Sequence, residues 1–516
     1  MHFVSDLHLH SKYSRAVSQQ MILPIMAEWG RKKGLDILAT GDWTHPLWLR
    51  EIRSQLQEDG EGLYKLKSEI RNPKFETNSN AQNSPPKADQ PLAENVQKDP
   101  LFLLSTEIAS IYKQGEKVRR IHNLVFAPNF ETVEKINKEL VRRGCNLMAD
   151  GRPIVGLSSK DLLELVLSID DRSMLIPCHV WTPHFGIYGS ASGFDSLDEA
   201  FGEFSKYIYG IETGLSSDPE MNWQMKELKN RSILSFSDAH SPAKMAREAT
   251  VFELEKPSYE NIRKAIMRKT DNRIQKTDGR KTEETDKTEN QSSVESVQSA
   301  IRPQSSVVSP SRILYTIEFY PEEGKYHFSG HRNCKVVRGP EETKKEGNIC
   351  PVCKRTLTEG VLYRVSQLGD KSLAGNFDNK MNSNNIKWYT DKAKNHPPYV
   401  KLVPLLEIVA QGLSRGARSG FARESTVASQ KVRAMFDGLC EEFSSEIEVL
   451  LKTPIDLIEN RVGKKIAEGI EKVRKGTIVI DPGYDGEYGK VKIWNHDGSR
   501  IENKQEDEKM QMGLGF

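Results

Sequence analysis

"HFVSDLHLHS", residues 2–11, decides how the first half of this chain is read. Phe3 and Val4 form a short apolar run, and Asp6, His8 and His10 follow it on alternating positions. Residues two apart on a strand share one face, so a strand ending in D-x-H-x-H aims imidazoles and a carboxylate at one point. The pattern recurs downstream. "LDILAT" leads into "GDWTH" (Asp42, His45), "LFLLS" into "TEI" (Glu107), and "IHNLVFA" opens beside His122. "SMLIPC" leads into "HVWTPH" (His179, His184), "YIYGIE" ends in Glu212, and "SILSFS" leads into "DAH" (Asp238, His240). These β-rich runs alternate with helical stretches, among them "QMILPIMAEWGRKKG", closed by Gly34, and "NFETVEKINKELVRRG", closed by Gly144. The alternation predicts βα units and a mainly parallel sheet or barrel, in which the C-terminal strand ends converge on one rim.

One His or Glu after one strand is an ordinary polar loop residue. Support behind other ligands, or contact with substrate, explains His45, His184 and Glu212 equally well. The coincidence at many strand ends is different. Several carboxylates buried together without cations would be strongly unfavourable, so the set predicts a metal site. Imidazole and carboxylate suit Zn²⁺, Mn²⁺ or Fe²⁺, and so many ligands point to more than one ion. Adjacent ions suit in-line displacement at phosphorus.

The totals bound the rest. A length of 516 residues predicts two to four domains. Lys plus Arg (74) nearly balance Asp plus Glu (72), so any basic surface is local. No apolar run is long enough to cross a membrane, and the N-terminus lacks the layout of a signal peptide, which predicts a cytoplasmic protein. No G-x-x-x-x-G-K-[ST] loop occurs, which sets a helicase aside. Six cysteines are too few for a disulfide scaffold; Cys145, Cys178 and Cys440 stand alone as buried thiols, while Cys334, Cys350 and Cys353 cluster.

Composition divides the chain. Residues 1–268 carry the βα pattern, interrupted at 72–99 by an Asn-, Gln- and Pro-rich stretch that predicts a disordered surface insertion. Residues 269–311 carry few bulky apolar groups and predict a disordered linker. The cysteine cluster falls in 312–364, a mainly helical region in 365–475, and a short β tail with the C-terminus in 476–516. "GHRNC" and "GNICPVCK" supply His331, Cys334, Cys350 and Cys353 at the knuckle spacing of a structural zinc ribbon, with His327 as an alternative fourth ligand. In "GLSRGARSGFARESTVASQKVR", Arg415, Arg418 and Arg423 punctuate Gly and Ser, as in a segment that touches phosphates, although such charge is most often a solvated face.

"DLHLHS", "GDWTH", "STE", "IHN", "PCHVW" and "SDAHS" resemble the motifs of PHP-domain phosphoesterases, the polymerase and histidinol phosphatase superfamily. The resemblance implies a distorted (β/α)7 barrel with a trinuclear metal centre. Carried over by motif, one ion takes His8, His10, Glu107 and Asp238. A second shares Glu107 and adds His122 and His179. A third takes His240 with a residue of "TGDWTH", where the family reads Ser/Thr-Asp-His; Asp42 is favoured over His45. Asp6 is expected to steer a histidine from behind. Over nearly everything outside the two disordered stretches, the chain resembles the endonuclease Q family. That wider resemblance rests on "SDLHLHSKYSRA", "GIETGLSSDPEMNW", "SDAHSPAKMAREA", "KYHFSGHRNC…CPVCKRTLTEGVLYRV" and "PGYDGEYG".

The family resemblance implies a PHP nuclease domain joined to a zinc domain and a helical DNA-binding domain. It implies nicking of double- or single-stranded DNA 5′ of uracil, hypoxanthine, xanthine or abasic sites. Structural Zn²⁺ and two to three divalent ions (Zn²⁺, Mn²⁺, Fe²⁺ or Mg²⁺) would be required, with Glu107, His179 and Asp238 at the chemical step. Inspection of a single base implies flipping it from the stack, and Trp181, His184, Phe185 and Tyr188 are candidates to line that pocket, with barrel packing as the alternative. The rival readings are a small-molecule phosphatase on the same barrel and a non-catalytic DNA-binding repair scaffold. No sequence signal identifies a sliding clamp or another repair protein as partner.

Overall fold

The computed structural model describes residues 1–70, 98–274, 311–414 and 429–494. The first half lays down β1 (His2–Asp6), β2 (Ile37–Ala39), β3 (Leu56–Glu58), β4 (Leu63–Leu66) and β5 (Leu101–Leu103). Then come the long pair β6 (Ser105–Gln114) and β7 (Lys117–Phe126), β8 (Ile154–Val155), β9 (Met174–Pro177), β10 (Gly210–Glu212), β11 (Ser232–Leu234) and β12 (Ala249–Glu253). Each expected β-rich run therefore contains a strand. Between them lie α1 (Leu23–Lys33), α2 (Pro46–Gln55), α3 (Phe130–Arg142), α4 (Ser159–Ile169), α5 (Leu197–Phe201) and α6 (Pro219–Trp223), followed by α7 (Tyr259–Ile274). Gly34 ends α1 in the left-handed conformation (φ +85°), its N–H donating 2.9 Å to the Gly30 carbonyl.

β1 pairs in parallel with β2, β2 with β5, and β10 with β11. The strand at "IHNLVFA" departs from the parallel expectation: β7 runs antiparallel to both β6 and β9. Its His122 therefore reaches the common rim from the middle of the strand. Single links span the gaps between ladders. The Ala127 N–H donates to Leu104 O (3.0 Å), the Val180 N–H to Glu212 O (3.1 Å), and Leu9 bridges Ala239 in parallel. Leu7, Ile37, Leu101, Leu103, Leu124, Phe126, Met174, Ile176, Leu234 and Phe236, drawn from all three sets of strands, bury into one apolar cluster.

The sequence divides the second half from the first more sharply than the fold does. β13 (Arg312–Glu318), expected within the zinc domain, pairs with β12 and extends the β1 sheet. Past the zinc hairpin of β14 (Ser329–His331) and β15 (Val336–Arg338), three more strands add on: β16 (Phe377–Met381), β17 (Lys387–Asp391) and β18 (Tyr399–Lys401). The result is a ten-stranded sheet in the order β16-β17-β18-β13-β12-β1-β2-β5-β4-β3. Such pairings join residues far apart in the chain and leave no local pattern. α8 (Pro340–Glu346) and α9 (Val361–Leu368) flank the zinc hairpin. The expected insertion lies almost wholly outside the described residues, as does most of the linker, though α7 runs six residues into the latter, to Ile274.

The helical region starts later than expected, with α10 (Leu405–Leu413), and continues through α11 (Gln430–Glu442), α12 (Glu446–Leu451), α13 (Ile455–Val462) and α14 (Lys464–Lys475). Buried Arg474 donates to the carbonyls of Val449 (2.7 Å), Leu450 (2.9 Å) and Thr453 (2.6 Å), satisfying orphan acceptors at the end of α12. The bundle docks on α1. Lys33 Nζ, itself buried, lies 2.6 Å from Glu446 Oε2, whose other oxygen accepts the Leu405 N–H at 2.8 Å. Among the described residues no helix is long and apolar enough to cross a membrane.

The tail folds back on the zinc hairpin through β19 (Val479–Asp481) and β20 (Lys490–Lys492). The Phe328 N–H donates to Gly483 O (3.0 Å), and Asp485 accepts from the Arg332 N–H (2.7 Å) and the Thr358 hydroxyl (2.5 Å). A Cβ on Gly483 would lie 2.2 Å from Gly324 O, so only glycine allows this approach.

Candidate metal centre

The bridge between Leu9 and Ala239 sets His8 and His10 directly across from Asp238 and His240. β6 adds Glu107 from its third residue, β7 adds His122, and the chain leaving β9 adds His179. Two backbone devices hold this convergence. His179 and Asp238 adopt positive φ (+28° and +47°), a costly conformation concentrated at functional sites. Gly214 packs against His179, where a Cβ would come within 2.3 Å of the histidine's own Cβ.

Glu107 is the hub. Its Oε1 lies 2.5 Å from His122 Nδ1 and 3.3 Å from His179 Nε2; its Oε2 lies 3.3 Å from His10 Nε2 and 3.7 Å from His8 Nε2. Asp238 Oδ1 stands 3.0 Å from His10 Nε2 and 3.7 Å from His8 Nε2. Ligand atoms of three overlapping groups each fall within 4.8 Å: His8, His10 and Asp238; Glu107, His122 and His179; and His8, Glu107 and Cys178. His8 Nε2 is buried there with no hydrogen-bond partner. A buried imidazole nitrogen aimed among carboxylates and left unpaired is what a divalent cation would satisfy, so these residues fit the ions that the motifs imply.

The charges agree. Burial alone would push Glu107 upward, but His122, Arg152 and His10 hold it well below the usual carboxylate range. Burial opposes ionisation of Asp238 too, and His10, His8 and His240 outweigh it, holding its carboxyl low. Burial also works against protonated His8, yet Glu212, Asp238 and Glu107 raise it well above the usual histidine value. The pocket thus keeps its carboxylates ionised, and an arriving cation would replace the proton that they hold on His8.

The supporting residues fall into a layer behind. Glu212 sits 2.8 Å from His8 Nδ1 and accepts the His179 N–H at 2.8 Å, fixing two histidines at once. Asp42, favoured as a ligand, lies 3.1 Å from His10 Nδ1 while its other oxygen accepts from the Ser11 N–H (2.6 Å), the Ser11 hydroxyl (2.7 Å) and the Ser14 hydroxyl (2.8 Å). Its acceptors are engaged, and it orients His10. Asp6 does not steer a histidine; it accepts from the Ser237 N–H (3.0 Å), the Ser237 hydroxyl (2.6 Å) and the Ala246 N–H (3.0 Å), bracing the segment that carries Asp238. His45 stacks on Tyr13, 4.4 Å between centroids, away from the hub. His240 keeps beside the pocket, its Nδ1 2.9 Å from the Asp238 carbonyl and its ring 4.8 Å from that of His10.

Gly151 closes this layer: a Cβ there would lie 2.5 Å from both Asp42 Oδ2 and Ser14 Oγ. Gly151→Ala must displace Asp42 and tilt His10, with an expected loss of about 10- to 100-fold in metal affinity, the range for disturbing a ligand's supporting partner. Metal titration of the folded variant checks this; unchanged affinity would show that Asp42 carries no such role.

The expected base-pocket residues separate. Trp181 is fully buried, its Nε1–H donating 2.8 Å to Asn222 Oδ1, and it packs on Tyr188 (4.9 Å), whose hydroxyl donates 2.9 Å to Glu227. Both belong to the core, not to a pocket wall. Phe185, at φ +74°, lays its ring 4.3 Å from that of His122, and His184 meets Tyr326 edge-on at 6.4 Å. Arg415, Arg418 and Arg423 lie outside the described residues.

A second site forms as the spacing predicts. Ligand atoms of His331, Cys334, Cys350 and Cys353 gather within 4.8 Å, with Cys353 Sγ 3.3 Å from His331 Nδ1; buried His327 is not in the group. Lys335 and Lys354 take positive φ (+52° and +62°) just after Cys334 and Cys353, turning each loop back toward the centre. Desolvation opposes ionisation of Cys350, yet the N–H groups of Cys353 and Val352, with His331, bring its thiol down to about 6. A thiolate there suits zinc.

The sequence reading missed Arg152, whose Nη1 lies 3.1 Å from Glu107 Oε2. It stands on a loop, not at a strand end, and arginine is absent from the metal-ligand alphabet.

Comparison with known proteins places this architecture. A family described as the MJ0043 C-terminal domain matches residues 404–477, the helical bundle. The uncharacterized protein MJ0043 of Methanocaldococcus jannaschii is 27% identical over 337 residues, 63% of this chain but only 33% of that protein, so the chain spans about a third of its length. The uncharacterized protein YqxK of Bacillus subtilis is 23% identical over 378 residues, 72% of this chain and 74% of the relative. Among solved structures, the lesion-specific endonuclease PfuEndoQ from Pyrococcus furiosus matches with a TM-score of 0.68 and 25% identity, covering 98% of this chain and 99% of its own. Endonuclease Q solved with a 27-mer duplex substrate carrying an abasic lesion at the active site matches at 0.69 and 26%, covering 98% and 100%. The resemblance carried by the motifs thus extends to the fold of nearly the entire chain, which is that of endonuclease Q.

Proposed function

We propose that this chain is a metal-dependent DNA endonuclease that hydrolyses the phosphodiester 5′ of deaminated bases (uracil, hypoxanthine or xanthine) or of abasic sites. The observation that carries the reading is the convergence of His8, His10 and Asp238 with Glu107, His122 and His179 around one buried hub. The near-complete likeness to a lesion-specific endonuclease supports DNA as the substrate. A PHP-type distorted seven-stranded barrel is supported by the cyclic sequence of links β1-β2-β5-β7-β9-β10-β11-β1 and by the shared apolar interior.

In this reading His8, His10, Glu107, His122, His179, Asp238 and His240 hold two to three divalent ions, and His331, Cys334, Cys350 and Cys353 hold a structural zinc. Ions bound at the first site supply Lewis-acid activation of water and neutralisation of phosphoryl charge. The chain's own residues supply position. Glu212 and Asp42 fix the imidazoles, Asp6 fixes the Asp238 segment, and burial of the hub keeps competing water out.

A nicking assay tests the proposal, using duplexes that differ by a single uracil, hypoxanthine or abasic site. Preferential cutting on the 5′ side of the lesion is expected. Equal cutting of undamaged duplex would reject lesion specificity, and turnover of histidinol phosphate without any nicking would replace the reading with a phosphatase.

A further inference from the structure

We propose that Arg152 is the phosphate clamp of this site: bound ions release its guanidinium from Glu107, and it then grips the scissile phosphodiester. The inference deepens the nuclease reading and rests on it for the identity of the substrate.

The position is built, not incidental. Gly151 is pinned through its N–H to Tyr13 O (3.1 Å) and through its carbonyl, which accepts from the Thr44 hydroxyl (3.1 Å). Pro153 O accepts the Ala109 N–H (3.0 Å), and the Arg152 N–H donates to Asp150 Oδ1 (3.1 Å). Arg152 is therefore held through both neighbours, by Gly151 to Tyr13 and Thr44 and by Pro153 to β6, the strand that carries Glu107. Its side chain is 24% exposed, whereas that of Glu107 is wholly buried. The guanidinium spans the distance from the floor of the pocket to its mouth.

Its single engagement is telling. Among the described residues, Glu107 Oε2 is the acceptor for Nη1, and no other acceptor meets the fork. A guanidinium carries five N–H donors in a planar fork that matches two phosphate oxygens, and at any working pH it keeps its charge. Oε2 is also the oxygen that faces His10 and His8, the side where a cation would sit. A divalent ion and a guanidinium repel each other across a few ångströms, so metal loading weakens the Arg152–Glu107 pair. With ions held by His8, His10 and Glu107, the fork would stand in a half-open mouth beside added positive charge, a place that would favour an anion. A phosphodiester has that chemistry. Arg152 is neither a ligand nor a proton carrier; its part is to bind and orient a phosphoryl oxygen and to offset the charge that develops there.

The test uses the full chain carrying Arg152→Ala or Arg152→Lys, loaded with Mn²⁺. Elemental analysis is expected to find the same metal content as in the parent. Calorimetric titration with inorganic phosphate should show affinity at least about tenfold weaker in the Ala variant. Single-turnover nicking of an abasic-site duplex at saturating enzyme should fall by about 100-fold, with partial recovery in the Lys variant. Unchanged phosphate affinity, or loss of metal from Arg152→Ala, would overturn the assignment. If the parent binds phosphate through Arg152 but nicks no lesion duplex, the nuclease reading fails and the clamp stands.

Discussion

Replacing Glu107 with glutamine is expected to abolish nicking and to empty the metal centre. The carboxylate joins two of the three ligand groups, with one oxygen toward His122 and His179 and the other toward His8 and His10. An amide keeps the size but offers one neutral acceptor in place of two charged ones. The loss in single-turnover rate should exceed about 10³-fold, beyond the 10- to 100-fold that follows from disturbing a residue behind the ligands. Glu212→Gln supplies the comparison, since Glu212 orients His8 and His179 without belonging to any of those groups. Removing a wholly buried anion from among His10, His122 and Arg152 should also destabilise the metal-free protein by about 3–5 kcal/mol. Elemental analysis, circular dichroism and the nicking assay read the three effects separately. A Glu107→Gln variant that retained its full ion complement would show that the hub is not where the cations bind.

The second large effect concerns the cysteine site. Cys350→Ser is expected to cost one zinc per chain and to unfold the β14–β15 hairpin with its flanking loops. Small zinc modules draw on the order of 10 kcal/mol from their metal, because no preformed site survives without it. Its own apolar side chains contribute little: Val337, Ile349 and Val352 are exposed, and Cys350 is the buried ligand of the group. Limited proteolysis should find new cleavage between residues 330 and 358, while β1–β12 stays protected. A variant and a chelator-treated parent as protease-resistant as the untreated, metal-loaded parent would show that zinc is not what orders the module.

What the sequence made legible follows a physical line. The hub residues lie beside short apolar runs and belong to types with recognisable metal chemistry, so local pattern was enough to collect them, even though Glu107 and His122 sit inside the antiparallel pair β6 and β7. The grouping of His331, Cys334, Cys350 and Cys353 was legible because knuckle spacing is short-range. Three things were not. The partners of Asp42 and Asp6 come from other segments, so whether each meets an ion, a histidine or a backbone N–H is decided by tertiary contacts. Trp181 and Tyr188 read the same in sequence whether they face a pocket or the core, and their own burial with partners Asn222 and Glu227 settles the matter. β13 and β16–β18 join the first-half sheet through pairings that no local periodicity encodes.

The return of the tail to the zinc hairpin has a consequence for biosynthesis. Phe328 and Arg332 find their partners in Gly483 and Asp485, more than 150 positions later for each. While the chain emerges from the ribosome, the hairpin waits for more than 150 further residues before these partners exist. Deleting Gly483 to Asp485 would therefore damage a module encoded far upstream, leaving the β1–β12 core assembled beside a clasp left open.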